Sequence, residues 1–155
     1  MSGKRRRPAG ERGGEFSSPA CYLHELGQEA PAAGARGVRI KRIYDKPDPA
    51  DGYRALIDRL WPRGVSRQRA ALAAWVKELA PSTELRLWYR HDPKRWAEFG
   101  RRYRAELRTH PQELAALRSR ARRERVTLLT ATREPRINHA VVLRALLLRG
   151  ASKRR

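Results

Sequence analysis

Cysteine is almost missing from this chain: Cys21 is the single one in 155 residues. That excludes an internal disulfide and any zinc site built on several thiolates. Long apolar runs are missing too. No stretch approaches the roughly 18 residues that a membrane-spanning helix requires, so no membrane role is expected. Histidines are few and far apart, with His91, His110 and His139 in the patterned part of the chain. Neither a metal site nor a cofactor is therefore expected. The opening Lys4-Arg5-Arg6-Arg7 leads into Pro, Gly and Glu rather than an apolar run, unlike a secretory signal. A reducing cytoplasm is the expected compartment.

Positive charge is what the chain has in excess, with a formal net charge of +20. Residues 1–37 carry six basic and four acidic side chains and the last five residues three basic ones, so +15 of the +20 belongs to residues 38–150. A folded part that is basic in its own right draws phosphates or acidic surfaces. The same excess has a bland reading. Only 6 of the 36 basic residues are lysine, as a codon bias toward Arg and Ala would produce, and stretches such as Arg118 to Arg125 read as solvated helix faces.

Residues 1–36 are rich in Gly, Pro, Ala, Ser and charge without apolar periodicity, and read as a disordered basic leader, either a flexible arm or the product of a misplaced start. Residues 37–150 read as one α/β domain and 151–155 as a basic tail. "VRIKRIY" (38–44) alternates apolar and basic residues as a half-exposed strand does, and after the turn-rich loop 45–52, "YRALIDRL" (53–60) reads as a more buried strand. Ser66 is a good N-cap for a helix through Leu72 and Leu79, although "WVKEL" (75–79) serves equally as a short strand. Ser82 caps a short helix through Trp88. Asp92-Pro93 starts another that aligns Trp96, Phe99, Tyr103 and Leu107. Thr109 and Gln112 have capping-box spacing for a helix burying Leu114, Leu117 and Ala121. "VTLLTA" (126–131) is the most secure strand, and Asn138 begins a last helix, apolar on most sides, that must be largely covered.

Strands alternating with helices indicate an α/β fold, a small three-layer domain whose mostly parallel sheet of three or four strands is flanked by helices. Because loop 45–52 is shorter than the usual parallel crossover, the first two strands could instead be antiparallel. In such sheets ligands bind beyond the carboxyl ends of the strands, and the costly residue types fall there. Arg59, Trp61, Arg63, Gly64 and Ser66 follow the second strand. Thr132, Arg133, Asn138 and His139 follow the last. Ala80, Pro81 and Ser82 leave the sheet at the same edge if Trp75–Leu79 is a strand, with Trp88 a candidate pocket wall and His91 a candidate ligand group beside the next helix start. Gly64, the free N–H groups after Ser66 and the Arg63 fork resemble an anion cradle, while turn and cap chemistry explains the same residues without a ligand. Arg59 needs a carboxylate, carbonyls or a ligand. His139, at a helix start and oriented by Asn138 or Asp58, is the candidate for moving a proton, with Asp58 beside it as the second candidate catalytic group.

"YRALIDRLWPRGVS", "WVKELAPSTELRLWYRHDPKRWAEFGRRYRAEL" and "VTLLTATREPRINHAVVL" together resemble the YeaO-like family of small bacterial proteins, which lies within a larger group labelled as a domain of unknown function. The resemblance covers about residues 38–149. It implies an α/β fold with a parallel sheet and favours the strand reading of Trp75–Leu79, but it implies no reaction. Longer relatives carry Cys-His-Arg where this chain has Asn138-His139-Ala140, so a thiol-based mechanism could not carry over. Two functions fit the residues. The first is binding of a small phosphate- or carboxylate-bearing ligand, with or without hydrolysis or group transfer. The second is a nucleic-acid-binding module, motivated by the basic charge and by aromatics interleaved with it (Trp88, Tyr89, Trp96, Tyr103).

Overall fold

In a computed structural model that describes residues 37–149, the chain alternates between strands and helices. The strands are β1 (Gly37–Arg42), β2 (Tyr53–Leu56), β3 (Ala74–Trp75) and β4 (Arg125–Thr130). The helices are α1 (Arg67–Ala70), α2 (Thr83–Tyr89), α3 (Trp96–Leu107), α4 (Pro111–Arg123) and α5 (His139–Arg149). All strand pairs are parallel, and the sheet order is β1-β4-β2-β3. The leader 1–36 and the tail 151–155 lie outside the described residues.

The apolar run of β4 explains its central place. Val126 through Thr130 are buried on both sides, as a strand covered on two faces requires. Its alternate residues feed two cores. Val126 and Leu128 join Val38, Ala55 and Ile57 under α2 to α5, in a core that includes Phe99, Tyr103, Leu107 and Leu143. Leu129 faces the other way, with Leu56, Ile43, Val65 and Ala70. That second layer is thin: one short helix, α1, and its flanking loops, closed by Trp61 and Trp75 in an edge-to-face contact at 5.3 Å.

Several local expectations are corrected. The second strand stops at Leu56 instead of reaching Leu60, although Ile57 still donates its amide to Leu129. Neighbouring antiparallel pairing of the first two strands does not occur, because β4 lies between them. The helix opened by Ser66 ends after one turn, where Ala71 turns left-handed (φ 48°) and releases the chain into β3. Asp92-Pro93 first opens a 3-10 turn, Pro93–Arg95, ahead of α3. Thr109 and Gln112 form no capping box: His110 precedes α4, and the Thr109 hydroxyl donates back to the Glu106 carbonyl.

The alternating basic residues of β1 are not simply solvated. Arg39 and Lys41 reach over the thin face to Asp51, whose carboxylate is fully buried and 2.8 Å from Arg39 Nη2 and 3.0 Å from Lys41 Nζ. Arg54 of β2 is buried and completes the cluster, donating to Asp51 and to the Ala70 and Ala71 carbonyls that end α1. Charge thus fills the part of this face that no long helix covers. Gly52 follows at φ 62°, where an added Cβ would stand 2.3 Å from the Arg125 carbonyl oxygen, so only glycine fits the turn into β2.

Burial pushes the Asp51 carboxyl up, but the Lys41 ammonium, the Asp48 amide and Arg54 outweigh it and hold it below its ordinary value of 3.8. A carboxyl held low contributes stability that is complete above its unfolded value and is lost as pH falls through the folded one. Asp51→Asn is therefore expected to cost about 3–5 kcal/mol near neutral pH, the range for removing one partner of a buried ion pair. The gap between the wild-type and variant urea midpoints should narrow at pH values below 3.8. A variant as stable as wild type near neutrality would show that the cluster is not holding this face.

Candidate ligand-binding site

Parallel pairing brings the exits of β2 and β4 side by side, and Asp58 fastens them. Its Oδ1 accepts from the Thr130 hydroxyl (2.8 Å) and its Oδ2 from the Ala131 amide (2.7 Å). Helix α5 then starts at the same edge. Asn138 is buried and acts as its N-cap, its Oδ1 accepting from the Val141 amide while its Nδ2 donates to the Glu134 carbonyl. His139, the next residue, brings Nε2 to 3.0 Å from Asp58 Oδ1. The pair is close enough for an ion pair but poorly aligned, so Nε2 is buried without a hydrogen-bond partner. The imidazole also meets the Tyr103 ring edge-on at 6.2 Å.

Burial pushes the Asp58 carboxyl up. The adjoining His139, the Ala131 amide and the Thr130 hydroxyl outweigh that effect and keep it below its ordinary 3.8. Asp58 is therefore a carboxylate near neutral pH, with its oxygens committed to three neighbours.

Above this floor opens a cavity of about 380 Å³. Arg59, Trp61, Arg63, His91, Thr132 and His139 line it together with Asp58. The Arg59 side chain is held by carbonyls, with Nε donating to Pro81 (3.3 Å) and Nη2 to Ala80 (3.4 Å), rather than by a carboxylate. The indole N–H of Trp61 donates to the Val65 carbonyl at 2.7 Å, which fixes the ring. His91 reaches the rim by an unusual route. Arg90 and His91 are both left-handed (φ 48° and 55°), one after the other at the end of α2. A non-glycine residue there costs of order 1–3 kcal/mol, and such strain recurs where a side chain is held for use.

Other expected site residues lie elsewhere. Gly64 and Ser66 do not line the cavity. Ser66 accepts from the Arg69 amide as the cap of α1, and Gly64 makes a positive-φ turn at φ 74°. Ser82 caps α2 and is held by both oxygens of Glu106, facing a smaller neighbouring hollow. Trp88 lies under the Arg102 guanidinium at 4.3 Å, outside the cavity. Arg133 is exposed beyond it, and Asn138 serves the helix end alone.

Sequence reasoning assigned Arg86 no role and gave Tyr89 and Phe99 no place in this site, yet all three line the cavity. Arg86 and Tyr89 are three residues apart on α2, one helix face, and this spacing was the available signal. Tyr89 stacks on Phe99 at 4.1 Å and donates its hydroxyl to the Ile137 carbonyl at 2.6 Å. Burial, with Glu134 and Asp92 adding to it, pushes its pKa up to about 12, so it remains a protonated donor. The cavity therefore has an apolar aromatic side and a cationic rim of Arg59, Arg63 and Arg86.

Asp58→Asn removes the charge while nearly preserving the shape. Because this carboxyl is held low, its contribution is present above its ordinary value and is lost as pH falls through the folded one. The variant should unfold at lower urea than wild type at neutral pH, with the difference shrinking at pH values below 3.8. Equal midpoints at neutral pH would mean that Asp58 does not join the two strand exits energetically.

A family model described as the inactive DUF488-N3 subclade matches residues 37–155. An uncharacterized protein of Mycobacterium tuberculosis is 46% identical over 110 residues, covering 71% of this chain and 92% of its own length. The uncharacterized protein YeaO of Escherichia coli is 43% identical over 106 residues, covering 68% of this chain and 92% of its own length. No solved structure matches the chain.

Proposed function

Since this chain belongs to the YeaO-like family of bacterial proteins, within the inactive DUF488-N3 subclade, we propose that it binds a small organic anion without transforming it. The ligand would carry a phosphate or carboxylate group on a flat apolar body. One observation carries this reading. Arg59, Arg63 and Arg86 line a single cavity in which Asp58 is the one carboxylate among the lining residues, and that carboxylate is already engaged by Thr130, Ala131 and His139. The cationic rim is left with donors to spare, and a guanidinium offers the planar fork that phosphate and carboxylate accept. Trp61, Tyr89 and Phe99 suit an apolar body, as ligand pockets combine apolar walls with a few polar groups.

Hydrolysis or group transfer through a covalent intermediate asks for a side-chain nucleophile beside an acid–base pair. His139 and Asp58 stand together, but neither a cysteine nor a serine lines the cavity. The hydroxyl of Thr130 already donates to Asp58. A nucleophile activated by a neighbouring base is what such chemistry needs. Besides Thr130, only Thr132 and Tyr89 among the lining residues carry hydroxyls, and the subclade's description as inactive supports the non-catalytic reading.

Phenyl phosphate and benzoate are suitable probes, with inorganic phosphate as the control lacking an apolar body. Thermal shift should show stabilisation by phenyl phosphate well beyond that by inorganic phosphate, approaching about 2.7 kcal/mol at a hundredfold excess over Kd. Arg59→Ala and Arg86→Ala should each weaken binding about tenfold, equivalent to about 1.4 kcal/mol, with folding retained. Undiminished binding in both variants would remove the cationic rim from the proposal. Release of phosphate from phenyl phosphate would overturn its non-catalytic half.

A further inference from the structure

A second concentration of positive charge lies at the opposite, amino edge of the sheet. There an open groove of about 490 Å³ runs along the start of the edge strand β1, lined by Gly37 to Ile40, Arg125, Arg144 and Leu148. Three arginines, Arg39, Arg125 and Arg144, line it from three elements, and no acidic residue does. Arg39 spends one nitrogen on Asp51, and Arg144 spends its Nε on the Val38 carbonyl at 2.9 Å. Arg125 has a buried Nε with no hydrogen-bond partner.

The surroundings extend this charge. Helix α4 ends at this edge with Arg122 and Arg123 exposed and in no ion pair among the described residues. Helix α5 ends here with Arg149. The acid nearest in sequence, Glu124, is taken by Arg120 at 2.7 Å, and Asp51 is buried within its own cluster. Basic side chains in the last turn of a helix are ordinary on their own. Two helix ends and two strand starts converging without a free acid go beyond that.

We propose that this amino-edge groove is a sequence-independent binding site for the phosphate backbone of a nucleic acid, separate from the cavity at the carboxyl edge. A concave line of forked donors suits a chain of phosphodiesters, since guanidiniums neutralise successive phosphates and release their counterions. A flat anionic membrane fits less well. Of the large hydrophobic side chains exposed among the described residues, only Leu148 lies on this edge, while Tyr44, Leu60 and Leu87 are outside the groove, so there is little to anchor in a bilayer.

The test uses the full chain with labelled single-stranded and duplex oligonucleotides of unrelated sequences, read by fluorescence anisotropy across a salt series. Binding should be insensitive to sequence and should fall log-linearly with salt. Arg122→Ala/Arg123→Ala, at exposed helix positions that should not disturb folding, is expected to flatten that slope by about two, roughly one per lost phosphate contact. Arg125→Ala should weaken binding further. Arg59→Ala, at the other edge, should leave it unchanged, and Arg122→Ala/Arg123→Ala should still bind phenyl phosphate, so the two sites fail or survive independently. Three results would overturn the proposal: no oligonucleotide binding at low salt, undiminished binding and an unaltered salt slope in both Arg125→Ala and the double variant, or binding to phosphatidylserine vesicles with none to oligonucleotides.

Discussion

The Asp58 carboxylate is the interaction on which the carboxyl edge of this fold depends. It leaves β2 just after the last ladder contact, accepts from a hydroxyl and an amide at the end of β4, and faces the first residue of α5. One side chain thus ties the end of β2 to the end of β4 and the start of α5, more than 70 residues further along the chain. Parallel strands make this possible, because their carboxyl ends all open on the same side. The price is a partly desolvated charge, compensated by two well-formed hydrogen bonds and a neighbouring imidazole. With Asp58 so occupied, the arginines around it keep free donors, and an otherwise apolar hollow has a cationic rim.

A second buried carboxylate, Asp51, solves a different problem. The sheet has helices α2 to α5 on one face but only α1 and loops on the other. Where no long helix supplies apolar cover, Arg39, Lys41 and Arg54 converge on Asp51, and Arg54 also satisfies the carbonyls that end α1. Thr127 of β4 donates to the Asp51 carbonyl and ties the cluster to the middle of the sheet. A buried ion cluster is seldom more stabilising than a packed apolar equivalent, but it tolerates few alternative arrangements.

The large excess of arginine thus has several fates. Some guanidiniums are structural: Arg54 within a charged core, Arg118 on the Leu146 carbonyl, Arg102 above Trp88. Others form surface pairs of small energetic weight, such as Arg101 and Arg102 with Glu98. Others again line the two hollows, Arg59, Arg63 and Arg86 at one and Arg39, Arg125 and Arg144 at the other. Net charge alone could not separate these groups, since it is a sum over side chains with opposite uses.

Read by itself, the sequence determined the class of fold and the edge to examine. The apolar run of β4, the caps Ser82 and Asn138, and the aligned Trp96, Phe99, Tyr103 and Leu107 are local signals, and local signals depend on neighbours within a few residues. The shortness of β2 and α1 was not legible, because the left-handed turn at Ala71 and the exit at Ile57 are imposed by packing against β3 and β4. Nor could the sequence tell that Arg59 would rest on loop carbonyls, that Arg86 would join it, or that Ser66 and Gly64 would stay out of the cavity lining. Those outcomes were decided by tertiary structure. Which side chains share a cavity depends on strand order and crossover path, and neither is encoded in the spacing of residues along the chain.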